Sequence, residues 1–94
     1  MKLQRIIDRR LLDTYAELGC VVCGTKPSDP DHVKTKGSGG DDVPENVWPL
    51  CRKHHDEKGK GLTTFVEAHP HLAFVLINKG WEYDPVVEKW RRYE

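Results

Sequence analysis

Two short pairs of metal-binding residues constrain this chain more than any other feature. Cys20 and Cys23 enclose Val21-Val22, and Cys51 and His54 enclose Arg52-Lys53. A two-residue separation lets both members of a pair reach one ion, and zinc takes four soft or borderline donors in a tetrahedron. Cys20, Cys23, Cys51 and His54 are therefore read as a zinc site, and four protein ligands leave no open position, so the ion is structural. The chain has 94 residues, of which 37% are hydrophobic, enough for one domain (residues 1–94) with a thin core. Metal-binding free energy offsets that thinness by pinning a knuckle at residues 20–24 to a helix starting near Cys51. Three cysteines are an odd number, and the charged, periodic N-terminal stretch does not resemble a secretory leader, which argues for thiolate ligands in a reducing, cytoplasmic setting. The longest apolar run, residues 72–77, is far below the ~20 residues a bilayer crossing requires.

Periodicity supplies the frame around these pairs. Leu3, Ile6, Ile7, Leu11, Tyr15 and Leu18 fall on one helical face, predicting a helix over residues 3–18 with Gly19 as its stop. Its charges, including Arg5, Arg9 and Arg10, read as a solvated face rather than as phosphate contacts. Asp31-His32-Val33 and Asn46-Val47-Trp48 read as two short strands joined by a glycine-rich loop, and residues 50–59 as a helix following Pro49. Thr64 and Glu67 have capping-box spacing, so helical structure is predicted over residues 64–79, kinked or restarted at Pro70 and closed by Gly80. Leu62, Phe65, Val66, Leu72, Ala73 and Leu76 form its core face, while His69 and His71 read as a helix boundary and a surface position. Asp84-Pro85 resembles a helix start, and Val86, Val87, Trp90 and Tyr93 predict a last helix over residues 85–93.

A second polar cluster follows from His55. Successive residues on a helix point about 100° apart, so His54 and His55 cannot readily serve one ion. His55 then faces the strand pair carrying Asp31, His32 and Asn46. Hard oxygen donors combined with imidazoles suit a divalent hydrolytic ion such as Mg²⁺, Mn²⁺ or Ni²⁺.

Taken in chain order, Cys20-x-x-Cys23, Asp31-His32, the Gly39-Gly40 loop, Asn46 and Cys51-x-x-His54-His55 resemble the HNH, or ββα-metal (His-Me finger), nuclease motif over roughly residues 20–60. Small phage and bacterial members carry a fourth cysteine where this chain has His54. The resemblance implies a small α+β fold in which the ββα-metal motif with its zinc knuckle is flanked by N-terminal and C-terminal helices. It also implies an endonuclease that hydrolyses DNA phosphodiester bonds, nicking or cutting both strands and leaving 5′ phosphates. His32 would be the general base, Asn46 the residue that orients it, and Asp31 and His55 the ligands of the catalytic Mg²⁺, Mn²⁺ or Ni²⁺. Asp31 is adjacent to His32 in a strand, so reaching the same ion requires the backbone to twist. Lys58, three residues after His55, would neutralise a backbone phosphate beside the metal. DNA is the implied partner, in a bacterial or phage cytoplasmic setting, and some similar phage proteins accompany packaging or other DNA-processing machinery.

Fifteen basic and fifteen acidic residues cancel, so any affinity for nucleic acid must be local. Lys34, Lys36, Arg52, Lys53, Lys58 and Lys60 gather near the motif, diluted by Asp41, Asp42, Glu45, Asp56 and Glu57, which predicts weak, salt-sensitive binding to duplex DNA. Two alternatives remain open: a catalytically inactive zinc-stabilised module that binds nucleic acid or protein through exposed Trp and Lys side chains, and a nuclease for branched DNA, single strands or RNA.

Overall fold

The computed structural model describes residues 4–92. Over these described residues the chain is a small α+β protein with four α-helices and two small antiparallel sheets: α1 (Arg9–Ala16), β1 (Asp29–His32), β2 (Val47–Leu50), α2 (Arg52–Lys58), α3 (Leu62–Ala68), α4 (His71–Asn78), β3 (Glu82–Asp84) and β4 (Lys89–Arg91). None of these helices is long and apolar enough to cross a membrane.

Strands β1 and β2 pair Asp29 with Leu50, Asp31 with Trp48 and His32 with Val47. The pairing runs one residue further, because the Val33 amide donates to the Asn46 carbonyl at 2.8 Å. All four residues of β2 are buried, with Trp48 and Leu50 at the centre of a core completed by Phe65, Val66, Leu72 and Leu76 from α3 and α4. Trp48 meets Phe65 edge to face at 6.4 Å, a favoured aromatic geometry. Each such side chain contributes roughly 1.5–3 kcal/mol on burial, which anchors the sheet from behind and leaves its polar edge free for chemistry.

Several expected boundaries move for identifiable reasons. The first helix starts at Arg9 rather than residue 3, because Asp8 caps it by accepting from the Leu11 amide at 3.0 Å. Ile6 and Ile7, expected on its apolar face, are exposed, and residues 5–8 run against residues 40–42 instead. Leu3 and Tyr93, part of the predicted end helices, lie outside the described residues. Gly61 is the N-cap of α3, so Thr64 lies inside the first turn and the capping box does not form. Pro70 separates α3 from α4.

The predicted last helix is wrong. Residues 82–91 form the hairpin β3–β4, with Tyr83 opposite Trp90. Asp84 accepts from the Val86 amide at 2.9 Å, so the side chain that resembles a helix cap instead closes a turn, and Glu88 takes the left-handed conformation at φ 55°. The Tyr83–Trp90 cross-strand pair, with ring centroids 5.4 Å apart, favours the strand alternative, and Val86 at the turn is left 89% exposed.

Candidate functional site

The cysteine knuckle is built by backbone hydrogen bonds. Gly24 donates to the Cys20 carbonyl at 2.7 Å, Cys20 to the Thr25 carbonyl at 3.0 Å, and the Val22 amide lies 3.4 Å from the Cys20 sulfur. Gly24 sits at φ 75°, the conformation a side chain would disfavour. Cys51 is the N-cap residue of α2, which carries His54 one turn on. The donors of Cys20, Cys23, Cys51 and His54 all lie within 4.8 Å of one another and can hold a metal ion such as zinc. Two donors at ~2.3 Å from a tetrahedral ion stand roughly 3.8 Å apart. Here Cys23 Sγ to Cys51 Sγ is 3.9 Å, Cys20 Sγ to His54 Nδ1 3.5 Å and Cys51 Sγ to His54 Nδ1 3.2 Å.

Electrostatics suit the same role. Burial holds His54 below the ordinary imidazole value, favouring the neutral ring that ligates. Hydrogen bonds with the Thr25 side chain and backbone lower Cys23 to about 7. His69, expected to be a plain helix boundary, does cap α3 but also contacts Glu57 Oε2 through Nε2 at 2.8 Å and stacks edge-on against His54 at 5.2 Å. His54 is thus shared with a second group, His54, Glu57 and His69, that runs from α2 to the end of α3, with Glu57 and His69 half-buried.

On the other side of α2, His55 faces β1. His55 Nε2 lies 3.3 Å from Asp31 Oδ1, a contact open to a hydrogen bond or to a shared cation. The other carboxylate oxygen of Asp31 is occupied: Trp48 Nε1 donates to it at 2.8 Å and Lys58 Nζ lies 3.1 Å away. Asp31, His32 and His55 line one open cavity of about 290 Å³, with Thr35 and Lys36 on its rim. Alternation along β1 does separate Asp31 from His32, but both border this space.

Three expected roles are corrected by these contacts. Lys58 is not a free phosphate hook: its side chain is 9% exposed, and its ammonium binds Asp31 and donates to the His32 carbonyl at 3.0 Å. Asn46 does not orient His32. It is 2% exposed, accepts from the Lys34 amide at 2.7 Å and donates to the carbonyls of Lys34 and Asp41, so it ties the ends of the loop together. Arg5 is not on a solvated face, since it donates to Asp42 and to the Gly40 carbonyl. Arg9, paired with Asp13 on the exposed side of α1, is.

The residue that holds His32 is Asp42. His32 Nε2 lies 2.6 Å from Asp42 Oδ1, and both side chains are buried. A carboxylate only accepts, so Nε2 carries the proton and the lone pair of the neutral ring is on Nδ1. Burial alone would raise Asp42, but the hydrogen bonds from His32, the Asp8 amide and Arg5 outweigh it and hold the carboxyl below the usual range. The sequence gives Asp42 no local signature. The available signal was the need of a buried imidazole for an orienting carboxylate, with Asp41 and Asp42 the candidates the loop returns to the strand pair.

Comparison with known proteins adds little to this geometry. No protein-family model and no solved structure matches the chain. It is 33% identical over 66 residues to "Uncharacterized protein YdfU" of Escherichia coli (strain K12), an alignment covering 64% of this chain and 19% of that protein. The aligned stretch therefore spans about a fifth of the relative's length.

Proposed function

We propose that this chain is a metal-dependent HNH endonuclease that hydrolyses DNA phosphodiester bonds. The observation that carries the reading is the convergence of Asp31, His55 and an Asp42-bound His32 on one open cavity beside, and separate from, the Cys₃His cluster. The succession β1, β2, α2 supports the ββα-metal motif, with His54 and His55 directed to opposite sides of α2.

The donor set fits a divalent ion. Asp31 Oδ1 and His55 Nε2 are 3.3 Å apart, and two adjacent ligands at ~2.1 Å from an octahedral ion stand roughly 3 Å apart. One carboxylate oxygen with one imidazole nitrogen suits Mg²⁺, Mn²⁺ or Ni²⁺ and leaves positions for water and phosphate. When bound, the ion supplies Lewis-acid stabilisation of charge on phosphorus and on the departing 3′ oxygen.

The protein's own groups do the rest. Asp42 fixes the tautomer of His32, so that Nδ1 takes the proton of the attacking water and Nε2–H keeps its acceptor as positive charge develops on the ring. Trp48 and Lys58 hold one oxygen of Asp31, which turns the other towards His55. Lys58 also sets the position of the His32 backbone. Lys36 on the rim is placed to meet a phosphate. Supercoiled plasmid incubated with Mg²⁺, Mn²⁺ or Ni²⁺ tests the proposal: the wild type converts it to nicked or linear DNA and His32→Ala does not. Equal survival of plasmid with both proteins in every metal refutes catalysis.

A further inference from the structure

A cavity larger than the one lined by His32 lies elsewhere on the surface. A cleft of about 500 Å³ opens between the β3–β4 hairpin and the start of the long loop, within the size range of small-ligand sites. Its walls carry two tryptophans, Trp81 and Trp90, and four cations, Lys34, Lys89, Arg91 and Arg92, with no carboxylate among the lining residues. Trp81 is 6% exposed and fixed by donating through Nε1 to the Glu45 carbonyl at 2.6 Å. Trp90 is half-buried and braced edge-on by Tyr83. Lys34 and Lys89 stand exposed at the mouth.

We propose that this cleft binds an unpaired stretch of nucleic acid, with a base stacked on Trp90 and its flanking phosphates on Lys34 and Lys89. Recessed aromatic rings with surrounding cations are what single strands use, because an unpaired base offers an open π-face that a stacked duplex hides. A surface built for duplex would need cations spread along two backbones, and the protein as a whole is electrically neutral.

The cleft also adjoins the proposed catalytic cavity. Lys34 lines the cleft, Thr35 and Lys36 line the cavity, and His32 precedes Lys34 by two residues. Two residues span at most about 7 Å of backbone, on the order of one or two nucleotides. Selection of substrates with an unpaired segment beside the cut rests on the nuclease reading, whereas binding of the single strand does not.

Fluorescence anisotropy on the full, zinc-loaded chain, without added Mg²⁺, Mn²⁺ or Ni²⁺, tests the cleft with a labelled oligothymidine and a blunt duplex of equal length. The single strand is expected to bind about tenfold tighter or more, with quenching of tryptophan fluorescence. The double substitution Lys34→Glu with Lys89→Glu weakens it about tenfold and flattens its salt dependence. Trp90→Ala lowers affinity at least fivefold while Trp90→Phe, which keeps a stacking face, retains most of it, and loss of the tryptophan quenching on binding in Trp90→Phe separates a platform from a ring that only packs on the core. Duplex binding as tight as single-strand binding, or unchanged affinity in a folded Lys34→Glu/Lys89→Glu protein, overturns the proposal. Plasmid nicking by the same preparations keeps the two readings apart: nicking without strand preference removes the cleft alone, and strand preference without nicking removes the nuclease alone.

Discussion

Asp42→Asn is the substitution that discriminates most sharply, because it keeps shape and removes one acceptor. In the native protein Oδ1 receives His32 Nε2 at 2.6 Å and Arg5 at 2.9 Å, while Oδ2 receives the Asp8 amide at 2.9 Å. Asparagine has a single acceptor oxygen. If that oxygen serves His32, the new NH₂ faces the Asp8 N–H, donor against donor. If it serves Asp8, the NH₂ faces His32 and forces the proton onto Nδ1, which abolishes the base. Either way one charge-assisted bond is lost, costing roughly 1.5–3 kcal/mol, and the melting temperature falls by on the order of 10–20 °C for a domain of this size. In the second arrangement the oriented general base is lost, a factor of about 10²–10⁴ in rate; in the first the ring keeps its tautomer but loses the anionic partner of its developing charge, and the rate falls by less. The assay is single-turnover plasmid nicking in Mn²⁺, well below the melting point of the variant, at several DNA concentrations. The loss is expected in the maximal rate with half-saturating DNA unchanged, since Asp42 positions a base and binds no substrate. A folded Asp42→Asn protein that nicks within threefold of the wild type refutes the role given to the His32–Asp42 pair.

Removal of metal from the Cys₃His cluster by a chelator, or Cys51→Ser, should unfold the domain cooperatively in circular dichroism, with elemental analysis of the native protein giving one zinc per chain. Acid should do the same in two stages. His54 can ligate only as the neutral ring, so its protonation as pH falls competes with the metal and releases the folding free energy that the metal supplies. The depressed Asp42 adds a second loss as pH falls below about 4, and a pH titration of the melting temperature that stays flat from 7 to 3 would contradict both. A Cβ on Gly40 would stand 1.7 Å from the Lys34 carbonyl oxygen, so Gly40→Ala should cost more than about 2 kcal/mol in urea unfolding, against roughly 0.5 or less for Gly37→Ala, which meets nothing within 4 Å. Lys58→Met removes the cation that holds Asp31 Oδ2 and turns Oδ1 towards His55, and should raise severalfold the metal concentration giving half-maximal nicking. A rise in half-saturating DNA instead would return Lys58 to phosphate binding.

What could be read in advance shares one property: its signal is local. The cysteine and histidine spacings, the short strands around Asp31 and Asn46, and the core face of α3 and α4 each follow from residues within a turn or two of one another. The last helix failed for the same reason. Asp84-Pro85 followed by Val86, Val87 and Trp90 satisfies a helical pattern locally, and only pairing across the turn, Tyr83 against Trp90, makes the hairpin better. The family resemblance puts Asn46 at the site and helical spacing puts Lys58 there, but what their side chains touch depends on how the loop closes.

The sequence by itself determined which residues can ligate metal and in what order they come, since donor type and two-residue spacing are properties of the chain. Tertiary structure decided which carboxylate holds His32, whether Lys58 is free, and that two tryptophans and four cations share a cleft. Those facts arise from bringing together residues such as His32 and Asp42, which touch, or Lys34 and Trp90, which line one cleft, whose separation along the chain carries no periodic signal and whose placement is fixed only when the core beneath them packs.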